Sequence, residues 1–362
     1  MGETCTPQIQ TGLQDEYGML STWKDDPNAD CCKWMGVQCN NQTGYVQRLD
    51  LHGSFTRHLS GEISRSIIQL EHLKYLDLSN NRLIGSIPFQ LGNLSQLQHL
   101  DLSSNKLNGG IPFQLGNLSQ LQYLDLGYNE LIGAIPLQLQ NISLLQELYL
   151  YKNKLTGEIP AGIGSLTRLE YLYLSSNSFE GVLSESHFTN FSKLLGLALS
   201  SNLLTVKVVS TDWVPPFQLE HLFLASCNLN STFPNWVLNQ NHLLNLDISN
   251  NNITGKVPNL ELEFTKSPEI NLSSNQLEGS IPAFLFQAVA LRLSHNKFSD
   301  LASALCNKSN PNNLAMLDLS NNELKGELPD CWNNLTSLKF IEPSNNKLSG
   351  KIPFSMDHFL PP

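Results

Sequence analysis

Seven cysteines are the residues of this chain whose type and spacing most clearly allow covalent chemistry. Two of them, Cys306 and Cys331, are one repeat apart, and four others precede the repeated part of the chain. We predict the pairs Cys5–Cys31, Cys32–Cys39 and Cys306–Cys331, although four N-terminal cysteines allow three connectivities. Disulfides require oxidising surroundings. No histidine lies within ligand spacing of the N-terminal cysteines, so we predict no metal site.

Ten Asn-x-Ser/Thr sequons also indicate an extracellular compartment. Part of their number comes from the recurring motif Gly-Asn-Leu-Ser. The total number of sequons is therefore better evidence for the compartment than any single sequon. Asn271 is expected in mid-strand on the concave face, where a glycan would obstruct binding. The nine predicted acceptors are Asn41, Asn93, Asn117, Asn141, Asn190, Asn230, Asn252, Asn307 and Asn334.

Catalytic chemistry is poorly supported. Catalysis needs a nucleophile or a paired acid and base in a pocket, and no triad-like, metal or phosphate-loop motif is visible. His99, His221 and His295 recur at repeat spacing as surface substitutions. We therefore predict no enzyme, catalytic residue or cofactor.

With 22 basic and 32 acidic residues, the chain has a net charge of −10 and no basic cluster. This composition argues against nucleic acid or an anionic membrane as partner.

The elements that position these residues come from a repeat of about 24 residues, which contains the motif LxxLxLxxNxL and occurs twelve times. An earlier, degenerate turn begins at Val46, which gives about thirteen turns. A period of this length predicts a leucine-rich-repeat α/β solenoid. We expect a right-handed superhelix with a parallel β-sheet on the concave face and a mostly irregular or 3₁₀ convex side. Residues 1–45 are expected to form an N-terminal cap, and residues 46–362 the repeats, without a C-terminal cap.

Each turn has a strand such as Leu100-Asp101-Leu102, with its leucines inward and the polar residue outward. The polar anchor after the strand should bond main-chain groups and form an interior ladder. Cys227 replaces the amide in one turn, and we interpret it as a packed free cysteine and not a reactive one. Glycine in the following Gly-x-Ile-Pro should adopt a positive φ. The ladder positions are Asn81, Asn105, Asn129, Asn153, Asn177, Asn202, Cys227, Asn251, Asn275, Asn296, Asn322 and Asn346.

Projecting the repeats onto the sheet brings six of the nine tyrosines into three consecutive turns. Tyrosine offers a large amphipathic contact area with few rotors and is enriched at recognition sites. The alternative is that tyrosine only has good β-propensity on a strand surface. We predict a binding patch for a peptide, a protein loop or a glycan, and none of these ligands is favoured over the others. Its residues are Tyr123, Tyr128, Glu147, Tyr149, Tyr151, Lys152, Glu170, Tyr171 and Tyr173.

The N-terminal segment and the repeats resemble the plant extracellular leucine-rich-repeat receptors. The cap resemblance lies in DCCKWMGVQCNNQTGYVQRLDL together with Trp23, and LSGxIP is the plant repeat signature. ASCNLNSTFPNWVLNQNHLLNLDISNNNITGKVP and LDLSNNELKGELPDCWNNLTSLK look like receptor-like proteins without a kinase. The resemblance implies perception of microbial or self molecules outside the cell, at the apoplastic face of the plasma membrane, and signalling through a partner kinase.

The leading hypothesis is an extracellular recognition module in immune or developmental perception. The alternative, also suggested by the resemblance, is a soluble inhibitor of a microbial cell-wall hydrolase, like the polygalacturonase-inhibiting proteins. A third possibility is a non-functional relic of a larger receptor. The sequence has no secretory h-region and no apolar run of membrane-spanning length. It is therefore expected to be soluble. In comparison with the receptors that it resembles, it is expected to be a truncated gene product or a receptor fragment.

Overall fold

A computed structural model describes residues 10–24, 30–207, 213–229, 232–306 and 313–359. The chain divides into two compact units. The first contains Met1–Gly181 and Ser186–Leu194, and the second contains Val182–Glu185 and Leu195–Pro362.

The first unit contains a main sheet with one strand per turn. Its first strand pairs antiparallel with the second, and every later pair is parallel and in register. From the strand Val46–Asp50 onward, the inward leucine of each strand therefore stacks on the leucine of the next turn, as Leu124 does on Leu148. The strands are Val37–Cys39, Val46–Asp50, Tyr75–Asp77, His99–Asp101, Tyr123–Asp125, Glu147–Tyr149 and Tyr171–Tyr173.

The return side of the first unit is built from short strands and 3₁₀ helices. The strands are Leu13–Gln14, Ser60–Glu62, Arg82–Ile84, Ile132–Gly133 and Lys154–Glu158. The 3₁₀ helices are Cys31–Lys33, Arg65–Gln69, Phe89–Asn93, Phe113–Asn117, Leu137–Asn141 and Ala161–Ser165. Two more elements include residues of both units, the strand Ser178–Leu183 and the 3₁₀ helix Glu185–His187.

The second unit repeats the same plan with seven parallel main strands. They are Gly196–Ala198, His221–Phe223, Asn245–Asp247, Glu269–Asn271, Ala290–Arg292, Met316–Asp318 and Phe340–Glu342. Its return strands are Leu203–Val206, Thr254–Gly255, Gln276–Ser280, Lys297–Asp300, Lys325–Glu327 and Lys347–Ser349. Its 3₁₀ helices are Asn235–Asn239, Ala283–Gln287, Trp332–Asn334 and Phe354–Phe359, and the single α-helix among the described residues is Ala302–Leu305.

The prediction of stacked leucine-lined turns with parallel strands and 3₁₀ return segments is confirmed. Leu97, Leu100 and Leu102 are fully buried, because each turn packs on its neighbours. Gly133 and Gly157 have φ of 80° and 79° at the bend after the strand, a conformation in which a side chain would be strained.

The polar anchors form a ladder inside each unit. The Asn129 amide donates to the carbonyls of Leu102 at 2.9 Å, Leu126 at 3.2 Å and Gly127 at 3.2 Å, and its Oδ1 accepts from the Leu107 N–H at 3.0 Å. In the second unit the amides of Asn251, Asn275, Asn296, Asn322 and Asn346 make the same kind of contacts with carbonyls of their own and the preceding turn.

Cys227 occupies its ladder position as a buried free thiol, 3.1 Å from the carbonyl oxygen of Leu199. Burial raises the pKa of this thiol to about 12. Thiolate is the reactive form of cysteine. The environment therefore suppresses nucleophilic chemistry at Cys227.

Two disulfides lie among the described residues, Cys32–Cys39 and Cys306–Cys331. Cys31 is also disulfide-bonded. Cys5 lies outside the described residues, so the pair Cys5–Cys31 stays a prediction. The sequon asparagines Asn230 and Asn307 are also outside them. The other seven predicted acceptors, Asn41, Asn93, Asn117, Asn141, Asn190, Asn252 and Asn334, are exposed, and glycosylation of them stays a prediction.

Candidate ligand-binding surface

The exposed face of the first unit's main sheet carries two columns of side chains, one on each side of the buried leucines. The in-register pairing places Tyr75, His99, Tyr123, Glu147 and Tyr171 in the column before the leucine. The column after the leucine contains Asp50, Asp77, Asp101, Asp125, Tyr149 and Tyr173. Because every strand is short and in register, side chains from turns 24 residues apart in sequence become direct neighbours.

Aromatic rings form one continuous series along this face. Tyr75 and His99 stack with ring centroids 4.1 Å apart and an interplanar angle of 5°, and His99 stacks on Tyr123 at 4.1 Å and 12°. The series continues edge to face, from Tyr123 to Tyr149 at 5.7 Å and from Tyr149 to Tyr173 at 5.3 Å. We call the following set the aromatic strip: Tyr75, His99, Tyr123, Tyr128, Tyr149, Tyr151, Tyr171 and Tyr173.

Tyr128 and Lys152 lie in the turn after the strand, each at a φ of 52° immediately before a ladder asparagine. The Tyr128 ring meets Tyr151 edge to face at 5.3 Å. The Lys152 ammonium lies 4.2 Å from the centroid of the Tyr128 ring and also donates to the Tyr128 hydroxyl. These two residues therefore extend the aromatic strip to the end of the strands.

The structure thus brings together eight of the nine residues predicted for the patch. Glu147 accepts a hydrogen bond from the Tyr149 hydroxyl at 2.6 Å. Glu170 lies one residue before the strand Tyr171–Tyr173, and its backbone N–H donates to the carbonyl of Gln146 at 2.7 Å. The Glu170 side chain forms no hydrogen bond or ion pair with another of the described residues.

Sequence reasoning missed the N-terminal half of the series. The predicted patch does not contain Tyr75, and the interpretation of His99 as a surface substitution does not include its stacking between Tyr75 and Tyr123. Arg48, also missed, places its guanidinium 3.4 Å from the centroid of the Tyr75 ring. The signal was available, because all three residues precede a central strand leucine, at Leu49, Leu76 and Leu100.

The phenols of Tyr123, Tyr149, Tyr151 and Tyr173 keep their protons at neutral pH. Burial raises the pKa of Tyr151 and Tyr173 to about 12, and it raises the pKa of Tyr123 and Tyr149 further still. Neutral hydroxyls both donate and accept hydrogen bonds. The rings are half-buried, with Tyr128 the most exposed at 45%. The surface therefore combines fixed apolar rings with neutral polar tips.

Aspartates line the N-terminal half of the same face. Asp101 and Asp125 each accept a hydrogen bond from the backbone N–H two residues later, at 2.9 and 2.7 Å. Burial raises the pKa of Asp125 to about 7, with a further increase from the nearby charge of Asp101. Burial also lowers the pKa of His99 to about 4, so its imidazole is neutral at pH 7. The centre of the face therefore carries less charge at neutral pH than its residue types suggest.

Three groups of side chains have the composition of metal ligands. In the group Asp50, His52 and Asp77, the Asp50 carboxylate already engages Arg48 and His52, and Asp77 accepts a backbone hydrogen bond. Asp77, His99 and Asp101 place one ligand atom each within 4.8 Å of one another, and the His99 Nε2 has no hydrogen-bond partner among the described residues. Rings cover both faces of His99, and the two carboxylates already accept backbone hydrogen bonds. The cysteines of the remaining group, Cys31, Cys32 and Cys39, are disulfide-bonded, which removes their thiolates. We assign a metal to none of the three groups.

Comparison with known families identifies the repeats. Residues 44–255 match the family described as leucine-rich repeat region, residues 8–40 match a leucine rich repeat N-terminal domain, and residues 313–335 match a leucine rich repeat. The first of these matches covers more than half of the chain.

Curated relatives include plant receptor-like proteins. Receptor-like protein EIX2 of Solanum lycopersicum is 32% identical over 184 residues, which are 44% of this chain and 18% of EIX2. Receptor-like protein EIX1 of the same species is 39% identical over 99 residues, 22% of this chain and 10% of EIX1. The matched region spans less than a fifth of each of these relatives.

Solved structures with a similar fold include plant receptors. The plant peptide hormone receptor RGFR1 in complex with RGF2 is similar with a TM-score of 0.73 and 30% identity, covering 91% of this chain and 55% of that one. The PEPR1–AtPEP1 structure has a TM-score of 0.75 and 29% identity, with 97% and 52% covered. The Arabidopsis receptor kinase HAESA, in complex with the peptide hormone IDA and the co-receptor SERK1, has a TM-score of 0.68 and 27% identity, with 96% and 66% covered.

Proposed function

The chain belongs to the leucine-rich-repeat family and is similar to plant extracellular receptor-like proteins, and from this premise we propose that it recognises a peptide ligand through the aromatic strip. In this proposal the chain is the ligand-recognition part of a receptor-like protein outside the plant cell. It has no catalytic activity of its own and signals through a partner kinase. The role in perception is immune or developmental.

The observation that supports the proposal most strongly is the continuity of the aromatic strip. Its rings are held by their neighbours at centroid separations of 4.1 to 5.7 Å along the series from Tyr75 to Tyr173. Rings fixed before binding lose little conformational entropy when a ligand arrives. Strand propensity alone favours tyrosine on a sheet, but it does not require tyrosines to pack against each other over consecutive turns.

The orientation of the rings favours a peptide over a glycan. Sugars stack on flat exposed ring faces, whereas Tyr149 meets Tyr151 and Tyr173 at angles of 89° and 68°. Edge-to-face rings leave clefts that suit side chains, and the phenol hydroxyls can bond a peptide backbone. Among the similar structures, RGFR1 is a peptide hormone receptor and HAESA is in complex with a peptide hormone, which supports the same class of ligand.

The location of the predicted glycans is compatible with this surface. Asn93, Asn117 and Asn141 each end a 3₁₀ helix on the return side of the first unit. Carbohydrate at these positions would leave the strand face free.

No helix among the described residues is both long and apolar enough to cross a membrane.

A peptide-selection experiment tests the proposal directly. Linear 12-residue peptides are selected from a phage-displayed library on the full chain, and their affinities are measured for the wild type and for Tyr149→Ala combined with Tyr151→Ala. Two recognition tyrosines together contribute several kcal/mol. We therefore expect affinity to fall at least about tenfold.

Phe223 provides a matched control, because it follows a central strand leucine in the second unit just as Tyr149 does in the first. Phe223→Ala should leave the affinity unchanged within twofold, and thermal unfolding should show that all variants are folded. Selected peptides that bind the double tyrosine variant as tightly as the wild type would refute the proposed site.

A further inference from the structure

A cavity of about 480 Å³ lies beside the N-terminal end of the aromatic strip. It is formed by the cap, the first main strands and the loop that follows them. Its volume is in the range of small-ligand sites in proteins. Side chains that define its chemistry are Met19, Met35, Gln38, Arg48, His52 and Arg57.

Backbone forms much of the cavity wall. A Cβ on Gly36 would lie 2.3 Å from the carbonyl oxygen of Asp50, and a Cβ on Gly53 would lie 2.1 Å from that of Asn80. No side chain fits at either distance. Both glycines therefore allow close approach of neighbouring segments and fix the shape of the wall.

The cavity has a basic excess in an acidic chain. Its single carboxylate, on Asp50, is already engaged by Arg48 at 2.7 Å and by His52 at 2.6 Å. Arg57 is exposed, and its guanidinium forms no ion pair or hydrogen bond with another of the described residues. A turn presents it to the cavity, since the Ser54 N–H donates to the Arg57 carbonyl at 2.6 Å and the Arg57 N–H donates to the Ser54 hydroxyl at 3.2 Å.

The lining also contains apolar side chains, beside the polar Gln38 and Ser54. Met19 and Leu51 are buried, whereas Met35 is 47% exposed at the edge of the cavity. A ligand group that fits must therefore present an anion and an apolar surface together. A carboxylate suits guanidinium groups because it can accept two parallel hydrogen bonds.

The cavity is continuous with the aromatic strip. The Arg48 guanidinium lines the cavity and also covers the Tyr75 ring at 3.4 Å. Three strand steps separate Arg48 from Tyr123 and five separate it from Tyr171, which corresponds to roughly 14 and 24 Å. An extended peptide covers these distances with about four to seven residues.

We propose that this cavity binds a carboxylate next to an aliphatic group, four to seven residues away from the part of the peptide that contacts the tyrosines. The identification of that peptide as the source rests on the proposed function. Binding of a small carboxylate in the cavity does not depend on it, so the two proposals can fail separately.

The test uses N-acetyl-leucine as probe and N-acetyl-leucinamide as its uncharged counterpart. Methyl resonances of the five methionines are followed by NMR in the full chain labelled with ¹³C-methyl methionine. We expect N-acetyl-leucine to shift the Met19 and Met35 signals with a dissociation constant of about 1 to 10 mM, as is usual for a ligand this small. Met316 and Met356, which are outside the cavity lining, should not shift.

Variants and a third probe complete the design. Arg57→Gln should weaken N-acetyl-leucine binding at least fivefold, Arg57→Lys should retain part of it, and the control Arg82→Gln, on an exposed return strand, should change it less than twofold. The third probe is acetyl-leucyl-aspartamide, whose carboxylate is on the aspartate side chain. Its binding, compared with that of N-acetyl-leucine, distinguishes an acidic side chain from a chain end as the source of the carboxylate. Equal shifts with N-acetyl-leucinamide, unchanged binding by Arg57→Gln, or no shift at 50 mM would overturn the proposal.

Discussion

At the scale of single residues, the ladder asparagines determine whether a turn can close. Asn129 serves three carbonyls and one N–H in two consecutive turns, and it is buried. Removing its amide leaves those backbone groups without partners in a place that water does not reach.

We predict that Asn129→Ala lowers the free energy of unfolding by about 2 to 4 kcal/mol. The measurement is the midpoint of urea unfolding followed by circular dichroism. Asn108→Ala is the matched control, since Asn108 is exposed and should change stability by less than about 0.5 kcal/mol. Equal midpoints for the two variants would show that the ladder amide is not needed.

The shifted pKa values of His99 and Asp125 predict opposite dependences of the free energy of unfolding on pH. The pKa of His99 falls from its ordinary 6.5 to about 4 in the folded state, so the unfolded chain binds more protons and His99 makes stability rise with pH across that interval. The pKa of Asp125 rises from 3.8 to about 7, so the folded chain binds more protons and Asp125 makes stability fall as pH rises through that interval. The two effects oppose each other in the wild type.

Single variants should separate these effects. Between pH 4 and 6.5, Asp125→Asn should gain stability with rising pH more steeply than the wild type, whereas His99→Phe, which keeps a ring between Tyr75 and Tyr123, should gain less or lose stability. Urea midpoints at pH 4, 5, 6 and 7 measure the slopes. Parallel curves for all three proteins would mean that neither group titrates abnormally.

At the scale of the element, one glycine makes room for the centre of the aromatic strip. A Cβ on Gly127 would lie 2.7 Å from Cε1 of Tyr151, so a side chain there must displace that ring. Equivalent positions in other turns carry serine, as at Ser79, Ser103 and Ser175. The backbone geometry of the turn therefore accepts a side chain at this position, and the restriction comes from the tyrosine.

Gly127→Ser should weaken binding of the selected peptides about tenfold, with little effect on folding. In a Tyr151→Ala background the same change should add no further loss, because the ring that it displaces is already gone. Gly110→Ser is the control, since the nearest atom to its Cβ would be 3.8 Å away. Affinity and thermal unfolding of the four variants provide the test, and additive losses would contradict the explanation.

Particular elements show how far the sequence could predict this surface. The repeat period placed Tyr123, Tyr149 and Tyr173 on adjacent strands, because in-register parallel pairing follows from the stacking of equal turns. Ring stacking by His99 and ring coverage by Arg48 depend on rotamers and on partial burial, which a period does not specify. The clearance at Gly127 and the cavity at Arg57 depend on distances between turns, so they required coordinates.

At the scale of the whole molecule, the residues proposed to bind the ligand and the residues predicted to carry glycans lie on different sides of the first unit. The chain has a net charge of −10, yet a cavity with basic excess lies next to an aromatic surface in the first unit. The predicted glycan acceptors that end 3₁₀ helices lie on the opposite, return side of that unit. This arrangement predicts a single ligand-binding face, on which tyrosine side chains make most of the contacts with the ligand.

Fluorine NMR of the full chain labelled with 3-fluorotyrosine tests this central claim most directly, because all nine tyrosines report at once. Addition of a selected peptide should shift the signals of Tyr75, Tyr123, Tyr149, Tyr151 and Tyr173. Tyr17 and Tyr45, which pair with His58 and His72 outside the aromatic strip, should remain unchanged. A bound peptide that shifts Tyr17 or Tyr45 and leaves the signals of the aromatic strip in place would contradict the account.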